Sequence, residues 1–340
     1  MAELTHWLAA AAVALGCSRV QEPAGDRRSA APAAIARSAA ATSPTPPPAA
    51  PTQLLILPSS AYQASLFVDG DAIELLTSSA AYHLQPGEAP RKRMLDLGFA
   101  AAVSRRSYVY WSKGALFSAA RAGSASTEPS RLVALSESPL RIVADIAGDG
   151  LAWLERSAGD RYVLATLHDR RIERLYTSPG SIDALSMTGD ALYFVERPSA
   201  AGFRIGRVKL AGGEATFTSV KSGRFPAMLG AGREIVYYDG TRRQVLALSR
   251  ELDRERVLAT DFICSPLAAA VNVYCAGVEG IYELSAAAAP RLLVTPSSGV
   301  VASLAVGAER LAFVADVGER GQDRLAVRAV PLGQRSAAPP

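Results

Sequence analysis

The chain has 340 residues, 49% of them apolar, enough for two average domains or for one large all-β domain. Its formal net charge is +4, and residues 53–340 hold 32 basic against 29 acidic groups, too even a balance for a nucleic-acid footprint. The local runs Arg91-Lys92-Arg93, Arg105-Arg106, Arg170-Arg171 and Arg242-Arg243 have no interleaved aromatic residues to stack bases, so they are expected on solvated turns and edge strands.

At the N-terminus an apolar run, Leu8 to Gly16, ends at Cys17. It is too short to span a bilayer and fits the core of a secretory signal. Ala14-Leu15-Gly16-Cys17 resembles the lipobox of bacterial lipoproteins, which implies export, lipidation at Cys17, and a periplasmic or outer-membrane-anchored product. Glu3, with no Lys or Arg before the run, leaves a buried or disordered tail open. Residues 18–52 are rich in Pro and Ala and cannot bury enough apolar surface to offset ordering, so a disordered tether is expected between the signal segment, residues 1–17, and the folded part. Every later apolar run is interrupted by charged or turn residues, which argues against a transmembrane segment.

From residue 53 to 334 one pattern recurs: a β-branched or aromatic strand after a small polar turn. Ile73, Val109, Leu151, Leu192, Ile235, Val273 and Leu311 stand at equivalent places, with steps of 36, 42, 41, 43, 38 and 38 residues. Seven units near 40 residues predict an all-β, seven-bladed β-propeller of four-stranded antiparallel blades. The clearest unit reads as strands at 182–187, 191–196, 203–210 and 215–221, joined by turns such as Thr188-Gly189-Asp190. First strands are small or aliphatic, as in Ala100 to Val103, Leu267 to Ala270 and Ala302 to Val306, which suits blades crowding a central axis.

Leu192-Tyr193-Phe194 followed by Ile205-Gly206-Arg207-Val208 and Gly212-Gly213 resembles the repeat of secreted bacterial propellers of the TolB/NHL-like kind. That likeness implies architecture, and interaction or scaffolding more often than catalysis; it transfers no functional residue. The last unit has room for three strands before residues 335–340, an expected disordered tail, while Gln53 to Leu57 has no other use. We therefore expect that run to complete the last blade.

Candidate sites are few. Cys264 is placed at the opening of the first strand of blade six and Cys275 in its second, close enough for a disulfide, with two independent buried thiols as the alternative. His83 is placed in the third strand of blade one and His168 at a turn of blade three on the opposite face, so they should not meet. This argues against a metal site, a Ser/His/Asp arrangement, and a lyase resembling virginiamycin B lyase. No catalytic residue and no cofactor is expected.

Glu155, Glu196 and Asp239 each follow the repeat position by four residues, on neighbouring links between second and third strands. Arg141, Asp183 and Arg224 fall at blade-to-blade junctions on the same face, nearer the axis. Convergent charges there could bind a cation, a basic peptide or a sugar, or simply solvate turns. The expected function is non-enzymatic binding or scaffolding of a protein or peptide in the cell envelope, touching the membrane only through a lipid anchor. The alternative is ligand sensing or catalysis on a carbohydrate or small molecule at the channel mouth.

Overall fold

The computed structural model describes residues 50–58, 65–97, 100–121, 128–157, 159–200, 202–222, 228–285, 288–295, 300–317 and 324–332. Cys17, Arg224, the signal segment, nearly all of the tether and the tail lie outside them.

Seven antiparallel sheets succeed one another along the chain. Blade one is Ser65–Asp69, Ala72–Leu76, Ala80–Leu84 and Arg91–Met94; blade two is Ala101–Val103, Ser107–Ser112, Ala115–Ala120 and Ser130–Ala134. Blade three is Pro139–Ala144, Leu151–Ser157, Arg161–His168 and Arg171–Ser178; blade four is Ser181–Thr188, Ala191–Ser199, Gly202–Lys209 and Thr216–Phe217, with Lys221–Ser222 paired further along the third strand. Blade five is Met228–Ala231, Ile235–Asp239, Gln244–Leu248 and Glu255–Ala259; blade six is Leu267–Ala269, Val273–Ala276, Ile281–Ser285 and Ala288–Val294. Blade seven is Val301–Val306, Arg310–Asp316 and Arg324–Pro331, and its fourth, outermost strand is Thr52–Pro58 from the other end of the described chain.

The expected clasp is thus present. Leu55 lies opposite Val327 and Leu57 opposite Leu325, and buried Leu57 joins a core cluster with Leu66 and Ile73 of blade one. The closing strand therefore belongs to the packing between the last blade and the first. Around the axis, first strands of successive blades touch, and the second strand of blade one completes the ring against the first strand of blade two. That crowding explains the small residues: a Cβ on Gly230 would stand 3.2 Å from the Cβ of Ala269 in the next blade.

The core is a series of layers between blades. In blade four, Leu192 and Phe194 pack against Ala152 and Leu154 of blade three, while Tyr193 and Val195 pack against Ile235 and Tyr237 of blade five. Both faces of each second strand are buried, so period-two alternation disappears into continuous apolar runs. This corrects one sequence assignment. In blade two the residue facing the preceding blade, as Ile73 and Leu192 do, is Tyr108; Val109 faces blade three. A one-residue slip exchanges the two faces, and here both are apolar.

Cys264 and Cys275 are disulfide-bonded with Cα atoms 5.5 Å apart. The cross-strand neighbour of Cys275 is Leu267, so Cys264 does not open the first strand, as the sequence suggested, but reaches Cys275 from three residues before it.

A candidate site at the channel mouth

Because strands alternate in direction, one face of the propeller carries the blade-to-blade links and the links between second and third strands. We call this face I. The hairpins between first and second strands and between third and fourth form face II.

Three of the candidate charges sit toward the face I ends of second strands, but not as loop residues. Asp239 ends its strand, Glu155 lies two residues and Glu196 three residues before the end of theirs, and all are buried. Parity explains it: Glu155 is two residues beyond Trp153 and four beyond Leu151, hence on the same interblade face. Glu155 accepts a hydrogen bond from the buried Trp153 Nε1 at 2.9 Å, supplying the acceptor that an indole needs away from water.

Glu196 joins two blades. Its carboxylate accepts from Tyr176 Oη at 2.7 Å and Ser178 Oγ at 2.5 Å, both on the fourth strand of blade three, and from Arg204 Nε at 2.6 Å across its own hairpin. Burial first, then the Glu196 carboxylate, pushes the Tyr176 hydroxyl up to about 12. Asp239 Oδ1 accepts from the backbone N–H of Thr241 at 3.0 Å and of Arg242 at 3.1 Å, a side-chain turn that closes the hairpin. Its buried Oδ2 has no hydrogen bond and lies 3.7 Å from Arg242 Nε. The equivalent Thr77 in blade one likewise bonds both the N–H and the C=O of Ala80. This repeat position finishes second strands. Each acid is served within its own blade or by the preceding one, and among the described residues no group of three or more His, Cys, Asp or Glu could hold a metal ion.

Arg141 and Asp183 stand on the innermost strands of blades three and four. Both lie near the start of first strands, and each of those strands carries a bulge at this point, with Asp183 the extra residue in blade four. Arg141 pairs with Leu154, which packs toward blade four, so the two residues share that side. Asp183 accepts from Arg197 Nε and from Ser181 Oγ at 3.3 Å. Arg141 has no hydrogen bond or ion pair to a described residue. Its side chain is exposed to water, and partial desolvation by the surrounding protein lowers its pKa against the opposing pull of Asp183. Two guanidinium groups thus face one carboxylate. Such a mouth is suited to an anionic group rather than to the cation or basic peptide that the acids alone suggested.

His83 and His168 lie where the sequence placed them, on different blades. His83 belongs to a network that sequence reading missed. Glu74, fully buried, accepts from His83 Nδ1 at 2.8 Å, Tyr108 Oη at 2.7 Å and Arg121 Nη2 at 2.6 Å, binding blade one to blade two. Burial pulls the Arg121 guanidinium down, but Asp69 and Glu74 together outweigh it and raise its pKa.

No family model matches the sequence, and no curated protein matches it. Solved structures do. BamB from Moraxella catarrhalis is 12% identical, aligned over 83% of this chain and 100% of that one with a TM-score of 0.50. YCF48 bound to D1 peptide is 11% identical over 86% of this chain and 98% of that one, with a TM-score of 0.56. A puromycin-hydrolyzing peptidase from Mycobacterium tuberculosis is 13% identical over 81% of this chain but 52% of that one, with a TM-score of 0.58. The chain is a seven-bladed β-propeller. At these identities the likeness establishes the fold and nothing beyond it. Among the described residues no helix is long and apolar enough to cross a membrane.

Proposed function

We propose that this chain is a non-enzymatic binding propeller of the bacterial cell envelope, exported by its N-terminal segment, anchored through Cys17, and holding a protein or peptide partner at the face I mouth. The observation that carries the reading is the guanidinium of Arg141: solvent-accessible, partly desolvated beside Asp183, and without an ion pair or hydrogen bond to a described residue. A cation kept so is stabilised when an acidic side chain or a terminal carboxylate enters beside it, and Arg presents a fork suited to that group. The mouth is ringed by rigid strand ends, so specificity falls to the loops around it. YCF48, a structural neighbour, is seen with a peptide, which makes peptide binding a use this fold supports. In this reading Glu155, Glu196 and Asp239 hold the mouth in shape, and Asp183 limits how much negative charge it takes.

Panning a random peptide library on the protein, with the Arg141→Ala variant as counter-selection, tests the reading. Enriched peptides should carry an acidic residue or depend on a free C-terminal carboxylate, and should weaken at least about tenfold on Arg141→Ala. Binders that keep their affinity for the variant would place recognition elsewhere.

A further inference from the structure

Face II carries a second feature that the channel mouth does not involve. A cleft of about 680 Å³ opens at blade five, between its two face II hairpins and Val271 of blade six. Its walls hold four arginines, Arg233, Arg250, Arg254 and Arg256, against three glutamates, Glu234, Glu251 and Glu255.

The pairing within the cleft leaves cations over. Glu234 is taken by Arg256 at 2.5 Å, Glu251 by Arg207 from blade four, and Glu255 by Lys221 at 2.7 Å and the Tyr237 hydroxyl at 2.7 Å. Two of those three cations come from outside the cleft lining. Among the described residues Arg250 is left bonded only to neutral oxygens, Gly232 C=O at 2.8 Å and Thr188 Oγ1 at 3.4 Å, which fix its guanidinium in place. Arg254 stands 3.8 Å from Asp253, whose carboxylate already accepts from Ser249, and Arg233 has no side-chain bond to a described residue. Among the described residues Arg233 and Arg250 therefore line the cleft without a carboxylate partner, Arg254 shares only an exposed pair with Asp253, and the lining glutamates are already paired.

We infer that this cleft binds an acidic peptide segment of a partner protein, its Asp or Glu carboxylates paired with Arg233, Arg250 and Arg254. Among the described residues Val271 is the only apolar one in the lining and no aromatic ring lines the cleft, so neither an apolar ligand nor a stacked base fits. With its glutamates already paired, the lining keeps only a small net positive charge, too little for a dense polyanion such as nucleic acid or an anionic membrane and enough for spaced carboxylates. The site is independent of the face I mouth.

The test uses fluorescein-labelled hexaglutamate and hexalysine, with anisotropy read on the full chain in an Arg141→Ala background, so that the other anion site is absent. Hexaglutamate should bind and hexalysine should not. Arg233→Ala/Arg254→Ala, two exposed positions whose loss leaves the melting temperature unchanged, should weaken hexaglutamate at least tenfold, whereas Arg233→Lys/Arg254→Lys should weaken it less. Absence of hexaglutamate binding, binding that the double alanine variant retains, or variant-sensitive binding of phosphatidylglycerol vesicles without peptide binding would each overturn the inference while leaving the Arg141 reading intact.

Discussion

Replacing Glu196 by Ala removes one acceptor and strands three donors. Tyr176 and Ser178 lose their partner on the blade three side, and Arg204 loses its ion pair on the other. Breaking a buried pair by deleting one member costs roughly 3–5 kcal/mol; Arg204 keeps a quarter of its side chain in water and stacks on Phe217, so the lower end, about 3 kcal/mol, applies. For a domain of this size that corresponds to a fall in Tm of about 6 °C. Calorimetry at pH 7 measures it, with Arg156→Ala as control: Arg156 and Asp160 are an exposed pair, and its loss should cost less than about 1 kcal/mol. The same variant has an alkaline signature. Tyr176 is raised in the folded protein, so its contribution is complete below pH 10 and is lost as pH rises from 10 through about 12. Without Glu196 the Tyr176 hydroxyl should titrate at lower pH. A Tm within 1 °C of wild type would show that the carboxylate is solvated and that the staple between blades three and four is not there.

Three more outcomes follow from the packing. Deleting residues 1–49 should leave Tm unchanged, whereas deleting residues 1–58 removes the outer strand of blade seven, uncovers its edge at Arg324–Pro331, and should lower Tm by more than 10 °C with aggregation on heating. Gly206→Ala would set a Cβ 2.4 Å from the ring of Phe194 and 2.8 Å from that of Phe217, and should destabilise blade four by about 1–3 kcal/mol in urea unfolding. Reduction of Cys264–Cys275 frees a short closed loop, and should cost about 3 kcal/mol, read as a lower urea midpoint in dithiothreitol.

Particular residues show what was readable before any coordinates. The 40-residue period, the four strands of blade four and the clasp at Leu55 and Leu57 all come from local patterns: turn residues, strand length, and a strand with no other partner. Blade two misled because Ser107–Ser112 is apolar on both sides, leaving no alternation to choose between Tyr108 and Val109. For Glu155 the signal was present and overlooked, since its parity with Leu151 and Trp153 already turned it into the interblade layer. The Glu74 network and the face II cleft were not legible, because their members lie up to 47 residues apart in sequence and meet only through blade packing. Arg141 and Asp183 were legible as charges near the starts of first strands; that Asp183 bonds Arg197 while Arg141 has no hydrogen bond to a described residue was not.

The most direct measurement on the functional account is comparative capture from native envelope extract, with wild type and Arg141→Ala immobilised side by side and bound proteins quantified by mass spectrometry. The account predicts a partner enriched on wild type and lost from Arg141→Ala, while both proteins melt at the same temperature. Equal recovery of that partner on the two would contradict recognition at the channel mouth.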